Sequence, residues 1–234
     1  MTGLVNWLNA TVCTAVLSVS SLALATEPAP APTPEPIAEP VIWKYTLDPG
    51  KSKLWVVVKA DRSTFVGRTF GHDHVIAATG WTGTVEWNYS DPSKCKVEIK
   101  VPVTGLVVDP SGARASQGFK KEETPEDDKK KITENFRGDT QLQASKYGDI
   151  KFSALSCSAV RGPVKVTGNL TIRGVSRKIT ADMNIIEGDR AFSGTGGFSI
   201  LHSDFGFQPF EAVGGKMRNE NALKFVLDVR GTAP

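Results

Sequence analysis

The chain has 234 residues, 40% hydrophobic and 23% charged, which is enough apolar content to bury a core and excludes compositional disorder. Its formal charge is +3; setting aside Glu27, Glu35 and Glu39 of a proline-rich stretch leaves 28 bases against 22 acids over residues 41–234, a net +6. That excess serves solubility or attracts an anionic headgroup or membrane surface. The lysines are scattered among strand patterns, and Lys129 to Lys131 follow an acidic EETPEDD run, which excludes a nucleic-acid stripe.

Residues 4–25 are apolar and uncharged and end SLALA-T, where Ala23 and Ala25 fit a small-x-small cleavage site. The sequence therefore predicts a signal peptide over residues 1–25 and export, to the periplasm or beyond. No Lys or Arg precedes the apolar run, so an uncleaved anchor stays open as the other reading. Cys13, preceded by Ala-Thr-Val, does not read as a lipoprotein cysteine. Residues 26–40, TEPAPAPTPEPIAEP, lack the amide donors and apolar side chains of a core and predict a semi-rigid extended linker. One folded domain over residues 41–234 remains.

From there the dominant signal has period two, which sends alternate side chains to opposite faces of a sheet. KLWVVVK at 53–59 is apolar on both faces, so its inward set is open. Trp81, Gly83, Val85 and Trp87 alternate with polar residues; so do Val97, Ile99, Val101 and Val103. The cleanest run is 164–173, where Val164, Val166, Gly168, Leu170 and Ile172 face one way. Ile179, Ala181, Met183 and Ile185 continue the pattern, as do Leu223, Phe225, Leu227 and Val229. Turn signals separate the runs: DPGKS at 48–52, SDPSK at 90–94, Arg161-Gly162-Pro163, Gly174 and EGD at 187–189. Within 105–148, Ile132, Phe136 and less regularly Leu142 mark a helical stripe. The fold class predicted is all-β: an antiparallel up-and-down barrel of eight or nine strands, with one helical insertion.

Strands at 53–61, 81–89, 94–104, 149–160, 163–173, 177–186, 191–201 and 219–231 alternate in direction. One barrel end then receives the tight turns, with DPGKS preceding the first strand there. The other receives 62–80, 105–148, the short 174–176 and 202–218, so all three long connections gate one mouth. His72 and His74 of GHDH, and His202, fall at that mouth. As an i, i+2 pair the first two could supply imidazoles to zinc or copper with His202 as a third, could contact a ligand headgroup or act in a lid, or could bond backbone carbonyls in a structural loop. No GxSxG is present, Gly194, Gly196 and Gly197 sit in a strand pattern where they permit curvature, and Glu122, Glu123, Asp127 and Asp128 read as a solvated run.

Cys95 and Cys157 lie near the start of one strand and the end of its antiparallel neighbour, and an exported protein would oxidise such a pair. Their parities disagree, so a bond needs a bulge or an end-of-strand twist; the alternative is two reduced cysteines, one buried and one exposed.

YTLDPGKSKLWVVV at 45–58, GWTGTVEWN, SKYGDIKFSA at 145–154 and above all VTGNLTIRGVSRKIT at 166–180 resemble the YceI-like family of exported lipid-binding proteins. FGHDHVIAATG and SDFGFQPFEAVGG resemble a branch of it with a GHxH loop. Gly148 stands where the family often has proline. The resemblance implies a lipocalin-like barrel, non-enzymatic and without cofactor, whose interior holds a polyisoprenoid or similar amphiphile; the basic excess adds the expectation of transient membrane-surface contact. The lining set expected is Leu54, Val56, Val58, Phe70, Trp81, Ile99, Leu170, Met183, Phe198 and Phe225, with Phe136 and Phe205 as lids and His72, His74 and His202 at the entrance.

Overall fold

The computed structural model describes residues 42–119, 123–188 and 190–234. The signal, linker and Cys13 readings, and that of Glu122, lie outside the described residues. The described strands are β1 (Ile42–Leu47), β2 (Lys53–Ala60), β3 (His74–Ala78), β4 (Thr82–Asn88), β5 (Lys96–Pro102), β6 (Leu106–Val108), β7 (Asp149–Cys157), β8 (Gly162–Ile172), β9 (Val175–Glu187), β10 (Ala191–Leu201), β11 (Glu211–Ala212) and β12 (Met217–Thr232). The helices are α1 (Phe65–Phe70), α2 (Ala113–Ser116) and α3 (Glu126–Arg137).

Three pairs of these strands behave as single bent strands. β4 pairs with both β1 and β5, while β3 pairs with both β2 and β6, so β1 with β2, β3 with β4, and β5 with β6 follow one another end to end. Each next strand then pairs with the one before it, through β7, β8, β9, β10 and β12. β12 returns to β2 along most of its length and to β1 at Gly231 and Thr232. The result is a closed eight-stranded antiparallel up-and-down barrel, in which no long strand keeps a free edge.

The expected parity is clearest in β8, whose Val164, Val166, Gly168, Leu170 and Ile172 are all buried while Lys165 and Asn169 are exposed. Curvature is supplied at β10: a side chain on Gly196 would collide with the Asp182 carbonyl oxygen of β9. Tyr45, Trp87 and Phe192 plug the end with tight connections, with Phe192 5.4 Å from Tyr45 and 5.5 Å from Trp87 between ring centroids.

Three expectations need correction. DPGKS is a kink inside the first bent strand and not a turn at a barrel end, because β1 precedes it. There the Asp48 amide donates to the Arg230 carbonyl (2.8 Å), and the Ser52 hydroxyl accepts from the Arg230 amide (2.9 Å), so the ladder is bridged across the break. The 62–80 connection ends early, since 74–78 is β3. The insertion carries the expected helix as α3, but also β6 and the single turn α2, and α1 adds a helix between β2 and β3.

Cys95 and Cys157 are joined, with Cα atoms 5.9 Å apart. The parity conflict is relieved by a bulge between Ala154 and Ser156, where β7 slips by one residue against β8 and turns Cys157 inward. Closing a loop of 62 residues stabilises by about 4 kcal/mol at most in the chain-entropy model. The double variant Cys95→Ala/Cys157→Ala should therefore unfold at a distinctly lower urea concentration, with a deficit of about 2–4 kcal/mol, and the wild type under reductant should match it.

Candidate functional site: a two-level chamber under the long connections

The open mouth leads into a cavity of about 750 Å³, within the range of small-molecule sites. A second space of about 130 Å³ lies deeper in the barrel. Val56, Ile76, Leu106, Ile150 and Phe225 wall both, so the two adjoin end to end. The ambiguity of KLWVVVK resolves here. Leu54, Val56 and Val58 face the lumen, while Val57 turns away from it and pairs with buried Val75 of β3. Ile99, Leu170, Met183 and Phe198 line the deep level, where nearly every wall atom is apolar; Phe198 and Phe225 stack with centroids 4.4 Å apart.

The upper level is covered by α3. Asp128, Lys131, Ile132, Asn135 and Phe136 recur at i, i+3, i+4, i+7 and i+8, and all five line the cavity. The stripe thus carries charge toward its N-terminal end and apolar side chains toward its C-terminal half. Glu126, Asp127 and Asp128 in the first turn suit the positive end of the helix dipole. Arg137 anchors the other end by donating to the Thr104 carbonyl at 2.7 Å. Leu142 follows the end of the helix rather than extending its stripe, yet it also lines the cavity. Gln141, buried, donates to the Gln208 carbonyl at 3.2 Å and so ties the insertion to the 202–216 connection.

Phe70, His72, His74 and His202 all line the upper cavity. Asp73 between the first two histidines turns away, accepting from the Ala60 amide (3.0 Å) and from both terminal nitrogens of Arg62 (2.9 and 3.0 Å). Burial by itself would raise its carboxyl, but the Arg62 bonds and the amide outweigh it and hold Asp73 below the usual range. His74 opens β3, and its Nδ1 meets Asp109 Oδ2 at 2.7 Å. Asp109 is 5% exposed and also accepts from the Val75 amide (2.7 Å) and the Thr124 hydroxyl (2.6 Å). Burial again opposes its ionisation, and the His74, Thr124 and Val75 donors together hold its carboxyl below the ordinary value. With Asp109 ionised, Nδ1 of His74 carries the proton, which leaves Nε2 as the uncommitted ring nitrogen. His202 is buried, its Nδ1 is 2.8 Å from the Asn221 carbonyl, and burial lowers its pKa, so it is neutral at pH 7.

Of the metal set that the sequence allowed, no three His, Cys, Asp or Glu side chains converge among the described residues; His72 and His74 stand 6.5 Å apart between centroids, and Nδ1 of His74 and of His202 is engaged by a protein acceptor. One expected lining residue, Trp81, and one expected lid, Phe205, lie elsewhere. Trp81 and Phe205, each 1% exposed, pack within core clusters and touch neither cavity. Sequence reasoning missed Phe207 and Phe210, which line the upper level, and missed Asp109 and Thr124, which hold His74. The FGFQPF stretch carried an aromatic signal, whereas Asp109 before Pro110 reads as an ordinary turn.

Replacing Asp109 by Asn removes a buried, multiply bonded carboxylate and should cost about 2–4 kcal/mol near neutral pH. Because the folded pKa of Asp109 is depressed, that advantage is full above its unfolded value near 3.9 and fades as pH falls through the folded value. Urea midpoints of wild type and Asp109→Asn should therefore converge only in strong acid.

A comparison with curated proteins found no match. Among solved structures, BcnA of Burkholderia cenocepacia aligns with a TM-score of 0.54 at 16% identity, covering 79% of this chain and 98% of its own. The YceI protein of Campylobacter jejuni aligns with a TM-score of 0.50 at 16% identity, covering 68% and 84% respectively. A mutant of that protein with a monobromobimane guest aligns equally well. These likenesses concern the fold. Residues 45–229 match the YceI-like domain, and on that match the chain belongs to the YceI-like family.

Proposed function

We propose that this barrel is an exported, non-enzymatic carrier or store for a polyisoprenoid or similar long-chain amphiphile. The observation that carries the reading is the polarity gradient along the lumen. The deep level is walled almost wholly by aliphatic and aromatic side chains, whereas polar groups such as the His72 imidazole, Lys131, Asn135 and Arg218 gather at the upper level. A chain buried from the top down loses water at about 0.8 kcal/mol per CH₂, and a polar head stays among groups that can bond it. The Cys95–Cys157 bond fits an oxidising compartment, in keeping with the signal read from residues 1–25. His72 and His74 serve in this reading as headgroup contacts, the second fixed in orientation by Asp109.

Native mass spectrometry with organic extraction of freshly purified protein should show a bound amphiphile; protein that is empty and indifferent to isoprenoid probes would sink the reading. Ile76 walls both levels, so Ile76→Trp should weaken binding of a long-chain probe at least tenfold while changing a short-chain probe little. His72→Ala should weaken an anionic-headed probe by a few-fold more than a neutral one of equal chain length, as titration by fluorescence would show.

A further inference from the structure

Among the described residues, three of the four most exposed large apolar side chains stand on the rim of the open mouth: Phe65 at 70%, Val213 at 63% and Phe70 at 59%. α1 is pressed against the barrel through Gly67, where a side chain would collide with the Asp61 carbonyl oxygen, and this leaves Phe65 and Phe70 outward. Val213 sits in a tight turn with φ 53°, followed by Gly214 at 61° and Gly215 at 79°. A β-branched residue in the left-handed region is strained, and a valine held there with its side chain in water recovers nothing from burial. The turn and the helix form one ledge. The Thr64 hydroxyl donates to the Lys216 carbonyl (2.5 Å), the Asp61 amide donates to the Arg218 carbonyl (2.8 Å), and Arg218 pairs with Asp61 at 2.6 Å.

The charges on the ledge indicate what covers it. Arg62 and Arg218 are offset by Asp73 and Asp61. Arg68 and Lys216 form no ion pair among the described residues, and Lys59 acts on Asp73 only at longer range; Glu211 and Glu220 are the remaining acids beside the ledge, while Glu123 and Asp128 line the cavity itself; Arg68 donates to the carbonyls of Arg62 and Ser63. Apolar side chains this exposed do not form a groove for a folded partner. They suit the interfacial layer of a bilayer, with bases at phosphate level, and Phe70 makes the ledge continuous with the cavity wall.

We propose that α1 and the 213–216 turn form a bilayer-docking ledge. Phe65, Phe70 and Val213 enter the headgroup layer of an anionic membrane, and the cavity mouth faces the lipid so that an amphiphile passes without crossing water. The proposal rests on the carrier reading above, and its test separates the two. Phe65 and Val213 do not line the cavity, and Asn is at ease in the left-handed conformation, so Phe65→Ser/Val213→Asn leaves the chamber intact. Purified protein should float with phosphatidylcholine vesicles containing phosphatidylglycerol and float less with phosphatidylcholine alone. The double variant should bind the former at least tenfold more weakly while retaining wild-type affinity for a soluble isoprenoid probe. Arg68→Gln/Lys216→Gln should erase the preference for the anionic vesicles. Equal flotation of the double variant and wild type, or no flotation of wild type that still binds the probe, would overturn the ledge and leave the carrier standing. A wild-type dimer that the double variant converts to monomer would assign the ledge to self-association and overturn it too. Loss of probe binding by the wild type itself would remove the carrier reading and the proposal with it.

Discussion

The return of β12 to the first strand is the interaction on which the molecule depends. One edge of β12 runs with β10 from Ala191 to Leu201, and the other runs with β2 and then β1. Once that seam closes, successive strands must alternate in direction around the ring and each connection is assigned to one end or the other. The three long connections fall at one end because each strand runs antiparallel to the one before it, and closure makes that end a mouth. Closure also forces the first strand to accommodate DPGKS without leaving the sheet, and the Ser52 hydroxyl takes the Arg230 amide where the ladder is broken. Without that bridge the exposed Arg230 amide would lose its protein partner at the seam.

The chamber follows from closure and from the polar fastening above it. Asp109 connects elements that the strand ladder does not. It takes His74 and the Val75 amide from β3 and the Thr124 hydroxyl from the segment leading into α3. Its own backbone is left-handed, φ 42°, a conformation that aspartate tolerates better than most residues. Burial of a carboxylate is unfavourable unless its lone pairs are met, and here three donors meet them. Wall, histidine and lid are consequently held by one side chain, and the aliphatic levels below need contribute no polar group at all.

Much of this was legible beforehand, for a definite reason. A half-buried strand records its facing in its own residues, so the parity of Val164 to Ile172 or of Leu223 to Val229 could be read without coordinates. The stripe of Ile132 and Phe136 was legible in the same way. Burial alone misled at Trp81 and Phe205, which are as apolar and as buried as lining residues yet pack within the core clusters and reach neither cavity. Turn chemistry misled where it served another purpose, because Asp-Pro-Gly bends a continuing strand at 48–50 by the same backbone preferences that end one. β3 and β6 are too short, at five and three residues, for alternation to stand out.

The sequence by itself determined the class of fold, the number and direction of the long strands, the shared mouth and the lumen-facing set of most strands. Those properties reside in local periodicity and in the counting of connections. Only the tertiary structure decided which face of KLWVVVK looks inward, how a one-residue bulge brings Cys157 to Cys95, and that His74 answers to Asp109 rather than to His72 and His202. Those outcomes depend on register and on partners 35 to 62 residues apart, and no local pattern records which distant group a side chain will meet once the barrel has closed.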